Sequence, residues 1–128
     1  KSSMFNTPPV FSIYVSMLNM RWLKSMGGIN EIEKNNRKKA EILYSEIDLN
    51  PLFKGHSEIK DRSIMNATFN LTDDSFKQTF ESMLSEANIE ALAGHRSVGG
   101  YRASMYNAMS LDSVKVLVEV MSELESKI

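Results

Sequence analysis

The sequence predicts an α+β fold, a two-layer sandwich in which a small, mostly antiparallel sheet carries helices on one side. Three observations predict it. Four stretches place apolar residues at helical spacing, one stretch alternates with period two, and the strand signals are few, short and interleaved with helices. The inferred order is helix, helix, strand, helix, strand, strand, helix.

The first helix is announced by Thr7 followed by Pro8. Threonine is a good N-cap, and proline is tolerated at the first helical position because its missing N–H is not needed there. Phe11, Val15, Leu18 and Trp22 define a stripe expected to be buried, and Gly27-Gly28 ends the helix. A second helix is predicted over residues 29–47, with Ile29, Ile32, Ala40, Leu43 and Ile47 on its apolar face and Asn36 interrupting it. Glu33 and Arg37 stand at i,i+4 in the favourable order. Arg37-Lys38-Lys39 reads as a solvated helix face, because acidic residues flank it.

Asn50-Pro51 breaks that helix, and a polar stretch follows to Arg62. Met65, Ala67, Phe69 and Leu71 then alternate with Asn66, Thr68 and Asn70, the period of a half-buried strand. Asp73, Asp74 or Ser75 can cap a third helix whose face is Phe76, Phe80, Met83, Leu84 and Ala87, and Asn88 suits a left-handed stop. Short strands are predicted over residues 89–93 and 101–105, on either side of a glycine-rich segment. Ser110 caps a last helix with Leu111, Val114, Leu117, Val118, Met121 and Leu124 on one face.

A chain of 128 residues fits one domain, and 42% hydrophobic content is ordinary for a globular protein. The net charge of -1, with both signs interspersed, argues against a nucleic-acid platform or an electrostatic membrane binder. No apolar run approaches the ~20 residues that span a bilayer, and the polar residues after Lys1 lead to the expectation of no signal peptide. The absence of cysteine removes disulfides and thiolate chemistry, which is compatible with a reducing cytosol. No metal site is expected, since the two histidines are far apart and no carboxylates cluster with them. The chain opens on Lys1 with a helix signal close behind, so an upstream segment is expected.

The segment Gly94-His95-Arg96-Ser97-Val98-Gly99-Gly100-Tyr101-Arg102-Ala103-Ser104 carries three of the chain's six glycines, two arginines and a histidine. Arginine matches carboxylate and phosphate oxygens with a planar fork of donors, and glycine lets backbone turn sharply or approach a ligand. Taken singly, each residue has an ordinary reading: a glycine turn, surface arginines, a structural histidine. As a group they suggest a pocket for a metabolite with more than one negative charge. Asn6 and Thr7, at the start of the first helix, suggest a second anion site, though Thr7 alone reads as a cap. His56 reads as a solvent-exposed residue of a polar connection.

Four blocks occur in one order: Met4-Phe5-Asn6-Thr7-Pro8-Pro9; Trp22-Leu23-Lys24 with Gly27-Gly28; Arg62-Ser63-x-Met65-Asn66; and the glycine-arginine segment extended to Tyr106-Asn107-Ala108. Together they resemble the C-terminal part of the phosphoserine aminotransferase family, class V enzymes of the pyridoxal-phosphate fold type I group. The last block is the most specific. The resemblance implies reversible amino transfer between glutamate and 3-phosphohydroxypyruvate, giving 2-oxoglutarate and O-phosphoserine for serine synthesis. It also implies a related step of vitamin B6 synthesis in many bacterial members, and a cytoplasmic homodimer with active sites at the subunit boundary.

By position, the resemblance makes Asn6 and Thr7 contacts to the phosphate of pyridoxal 5'-phosphate across the dimer. It makes His95 and Arg96 contacts to the substrate phosphate, and Arg102 the grip on the α-carboxylate. The family's cofactor-anchoring lysine, its aspartate at the pyridine nitrogen and its stacking aromatic lie upstream of the Asn6 block, and nothing here matches them. Residues 1–27 are thus expected to lead in from a large domain, and residues 28–128 to form the small domain. The chain alone is expected not to transaminate. A related aminotransferase with another acidic substrate, or an anion-binding domain without catalysis, are the alternatives.

Overall fold

The computed structural model describes residues 5–97 and 99–128. The chain divides into two compact units, residues 1–34 and 35–128. Helix α1 (Val10–Ser25) lies in the first. Helix α2 (Gly28–Leu49) begins there and runs into the second. Strands β1 (Phe53–Gly55) and β2 (Asn66–Leu71), helix α3 (Lys77–Glu86), strand β3 (Tyr101–Ser104) and helix α4 (Leu111–Ser126) complete the second unit. The expected α+β class holds. No helix among the described residues is long and apolar enough to cross a membrane.

The start of α1 differs from expectation. Val10 is its first residue and Pro9 its N-cap, with no side-chain capping bond. Pro9 drives Pro8 out of helical backbone, as proline does to the residue before it. The helix therefore starts two residues late, and the Thr7 hydroxyl is out of capping range. The expected stripe of Phe11, Val15, Leu18 and Trp22 is not buried either; no residue of α1 is. Apolar side chains surround this helix on every side, Ile13, Tyr14 and Met20 as well as the stripe. No single face was therefore there to be read.

The sheet is antiparallel in the order β1-β2-β3. Strand β2 behaves as its alternation demands: Ala67 and Phe69 are buried, while Asn66, Thr68 and Asn70 take the opposite face. Phe69 pairs with Gly55 and Tyr101, and Thr68 pairs with Arg102. The inner face holds an aromatic cluster. Phe69 stacks on Tyr101 at 5.5 Å, and Phe80 of α3 meets the edges of Phe53 and Tyr101 at 5.2 and 5.1 Å. Ala40, Leu43 and Ile47 of α2, Met83 and Leu84 of α3, and Val114, Leu117, Met121 and Leu124 of α4 join the same core. All three helices thus serve one face of the sheet, and the other face is left polar.

Several local readings hold. Asp73 caps the 3₁₀ turn Asp74–Phe76 that leads into α3, accepting from the Ser75 N–H at 2.8 Å. Asn88 stops α3 with φ 56. Ser110 caps α4 by accepting from the Ser113 N–H at 3.0 Å. Others are corrected. Ile29 is exposed. Strand β1 lies inside the stretch read as a polar connection; three residues are too few to display a period. Residues 89–93 form no strand beyond a single bridge of Ala93 to Tyr101, because Ala91 at φ 57 breaks the extended run. Lys39 is not on a solvated face; it is 2% exposed.

The Arg62-Ser63 block has a structural purpose. The Arg62 guanidinium forms two bonds of 2.6 Å to the Asp48 carboxylate at the end of α2 and stacks over Tyr44, 4.6 Å from its ring centre. The Ser63 hydroxyl accepts from the Met65 and Asn66 N–H groups, each at 3.1 Å, and its carbonyl accepts from the Tyr44 hydroxyl. Together these contacts launch β2 at a fixed height on α2. The bonds from Arg62 hold the Asp48 carboxyl below the usual carboxylate range. A depressed folded pKa stabilises above the unfolded pKa and loses that contribution as pH falls through the folded value. Asp48 is partly solvated, so the expected worth is about 1 kcal/mol. Asp48→Asn should cost that much at neutral pH, with the difference beginning to fade only below about pH 4 and gone once pH is below the depressed folded value. Urea unfolding of both proteins across pH checks it; a difference independent of pH would refute it.

Candidate anion-binding site

The segment from Leu92 turns back on itself to run beside β3, described at residues 92–97 and 99–102. The Arg102 N–H donates to the Leu92 carbonyl at 2.7 Å, and the Gly94 N–H to the Gly100 carbonyl at 2.8 Å. The Gly99 N–H closes the loop onto the His95 carbonyl at 2.8 Å. Two glycines are required here for different reasons. A Cβ on Gly94 would collide with the Gly99 carbonyl oxygen. Gly100 sits at φ 65, and a Cβ there would strike the Asn70 side chain and lie 2.8 Å from the Phe69 carbonyl oxygen. The loop is thus pressed against β2.

This geometry sets the cationic side chains on both sides of the loop. Arg102 leaves the polar face of β3, opposite Thr68. A cleft of about 250 Å³ on that face is bordered by Arg102, His95, Thr68, Asn70 and His56. A second hollow of about 250 Å³ lies toward α3, between Arg96, His95 and Lys77, with Asp74 and Glu81 also on its wall. His95 borders both. The structure therefore brings His95 to Arg102 on one side and to Arg96 on the other, and does not put the two arginines in one cleft.

Each of these three residues is exposed. The His95 ring engages its own loop: Nδ1 meets the Ser97 hydroxyl at 2.8 Å and accepts from the Ser97 N–H at 3.3 Å. With Nδ1 held as an acceptor from the backbone, Nε2 is the nitrogen that carries a proton outward. Neither Arg96 nor Arg102 pairs with a carboxylate among the described residues. Beneath the loop, burial, with Glu81 and Asp74 adding to it, pushes the Tyr101 phenol up to about 12, so it stays a neutral floor.

Asn6 and Thr7 lie in the first unit, exposed, with no hydrogen bond to any described residue. His56 is exposed as expected, yet it reaches the cleft. Its N–H donates to the Thr68 carbonyl at 3.0 Å, continuing the sheet by one residue and placing His56 in the row of Thr68 and Arg102. Sequence reasoning missed this, because the row depends on the unrecognised β1.

The glycine constraint predicts that Gly100→Ala destabilises the protein by more than about 2 kcal/mol, through left-handed strain and the collision with β2. Gly99→Ala, at a left-handed position with open space around it, should cost less. Denaturation midpoints of the two variants decide it, and equal costs would mean that the contact with Asn70 is unimportant.

The sequence pattern of the class-V aminotransferases matches residues 1–117. The phosphoserine aminotransferase of Flavobacterium psychrophilum is 61% identical over 126 residues, which are 98% of this chain and 35% of that relative's length. A solved phosphoserine aminotransferase superposes with a TM-score of 0.88 at 43% identity, covering 98% of this chain and 36% of the other. A pyridoxal-phosphate-bound phosphoserine aminotransferase from Trichomonas vaginalis superposes at 0.81 with 35% identity, covering 93% of this chain and 34% of the other. The chain thus spans about a third of the length of the relatives it matches.

Proposed function

The chain belongs to the class V aminotransferase family, and from that premise we propose that it is the C-terminal, substrate-gripping part of a phosphoserine aminotransferase. The whole protein would exchange an amino group between glutamate and 3-phosphohydroxypyruvate, giving 2-oxoglutarate and O-phosphoserine. It would do so as a cytoplasmic homodimer. Residues 1–27 lead in from a large domain, and residues 28–128 form the small one.

The observation that carries this reading is a histidine and two arginines set around one glycine-built loop, neither arginine ion-paired with a carboxylate among the described residues. Charge-assisted hydrogen bonds to such groups are worth roughly 1.5–3 kcal/mol each. A substrate with a carboxylate at one end and a phosphate at the other would engage both sides of the loop. Arg102, on the rigid strand, takes the α-carboxylate that every amino-acid substrate carries. Its two-pronged grip fixes the Cα–H bond for proton transfer. His95 and Arg96, on the loop, take the phosphate.

Asn6 and Thr7, exposed and without a hydrogen bond to any described residue, suit the phosphate of pyridoxal 5'-phosphate, and these two residues would hold it from the neighbouring subunit. When bound, that cofactor supplies the electron sink for amino transfer. No lysine here matches the family's cofactor anchor, so the 128-residue chain would be inactive alone.

An assay of the full-length protein with glutamate as donor tests the reading. Acceptance of 3-phosphohydroxypyruvate far above hydroxypyruvate is expected, and equal use would favour a relative with another acidic substrate. Arg102→Ala should weaken every amino-acid substrate by about tenfold or more in kcat/KM. Arg96→Ala should weaken the phosphorylated substrate far more than glutamate. Equal losses for both substrates in both variants would refute this division.

A further inference from the structure

The turn that follows β3, residues 105–109, is held by a buried lysine. Lys39 of α2 is 2% exposed, and its Nζ donates to three backbone carbonyls: Tyr106 at 2.8 Å, Met109 at 3.0 Å and Met105 at 3.2 Å. Three acceptors use all three protons of an ammonium, and a neutral amine could serve only two of them. A buried cation is costly unless its donors are all satisfied. Among the described residues no carboxylate ion-pairs with it, and its hydrogen bonds go to carbonyl dipoles alone. The arrangement is that of a small monovalent cation in a carbonyl cradle, with the cation tethered to a helix. A second tie runs beside it, from Asn36 Nδ2 to Asn107 Oδ1 at 2.8 Å.

Met105 is the point where the cradle meets the sheet. Its N–H donates to the Met65 carbonyl at 2.8 Å, its carbonyl accepts from Lys39, and its side chain is buried. Arg102 lies three residues upstream, on β3, which ends at Ser104 just before Met105. The strand is therefore tied at Arg102 itself, whose N–H donates to the Leu92 carbonyl, and again just past its end, at Met105.

We propose that Lys39 is a positioning residue for Arg102, its ammonium acting as a tethered cation that pins the 105–109 turn and so fixes the direction of β3 at the substrate. The proposal rests on the reading of Arg102 as the carboxylate grip. Misplacement of such a grip by about 1 Å is enough to lose much of its benefit.

The test uses the full-length holoenzyme. Lys39→Ala empties the cradle, and KM for glutamate should rise roughly tenfold with kcat changed far less, the pattern of lost substrate binding. Ammonium or methylammonium should bring KM at least threefold back toward the parent value, and sodium at the same ionic strength should not. Parent protein should respond to none of them. A KM within twofold of the parent, or a raised KM that ammonium leaves unmoved, overturns the proposal. If Lys39→Ala does not fold, Lys39→Met, which fills the same volume without donors, is read by the same KM threshold. Arg102→Ala is measured alongside. If it leaves the glutamate KM unchanged, the carboxylate reading falls and this proposal with it. If it raises KM while the Lys39 variants do not, positioning alone fails.

Discussion

The pairing of β2 with β3 decides which way Arg102 points. A slip of one residue would turn every side chain of β3 to the other face, burying the guanidinium and exposing Tyr101. The register is held from both sides of the sheet. On the inner face, the stacking of Tyr101 on Phe69 and the edge contact with Phe80 leave no room for an arginine. On the outer face, the Ser104 hydroxyl donates to the Asn66 side chain at 3.1 Å, one pair along from the slip-sensitive row. Core and site are thus two faces of one strand pair, and the hydrophobic packing of one specifies the chemistry of the other.

The loop inherits that constraint. Gly100 must approach Asn70 and the Phe69 carbonyl more closely than any side chain permits, so the loop's height above the sheet is set by β2 as well. From that height Arg96 projects toward α3, while Arg102 stays over the sheet. The two arginines differ in stiffness for the same reason. Arg102 has a paired backbone on both sides, whereas Arg96 rides on a turn closed by a single bond from Gly99 to His95.

Elements with a strong local cause were legible in the sequence. The period of β2, the cap at Ser110, the left-handed stop at Asn88 and the apolar face of α4 each follow from neighbouring residues, and each stands in the structure. The candidate site was legible as a composition, histidine and arginine among glycines, but not as a geometry. What could not be read depends on partners distant in the chain. Strand β1 exists because β2 pairs with it, and without β1 the place of His56 beside Arg102 has no local sign. Lys39 sits in a run of three cations, and only carbonyls about seventy residues away make it an interior residue. The Thr7 cap failed for a local reason that was present, the second proline, which overrides the first.

Lys39 belongs to a wider pattern on α2. Three polar residues at its core-facing side or its end are buried: Asn36, Lys39 and Asn50. Each reaches across the domain to a fixed point. Asn50 donates to the Met121 carbonyl of α4 at 3.1 Å and to Glu46 at 2.8 Å, while its side-chain Oδ1 accepts from the Leu52 N–H and starts the turn into β1. Leu43 and Ile47, which lie between these polar anchors, could pack against a sheet in several nearby settings, because apolar contact is non-directional. Hydrogen bonds with one geometry remove that freedom, at the cost of burying groups that must all be satisfied. Helix α2, which helps to cover the core, is in this way also the helix that indexes β1 at one end and the exit of β3 at the other. The polar face of the sheet owes its alignment to bonds made on the opposite side.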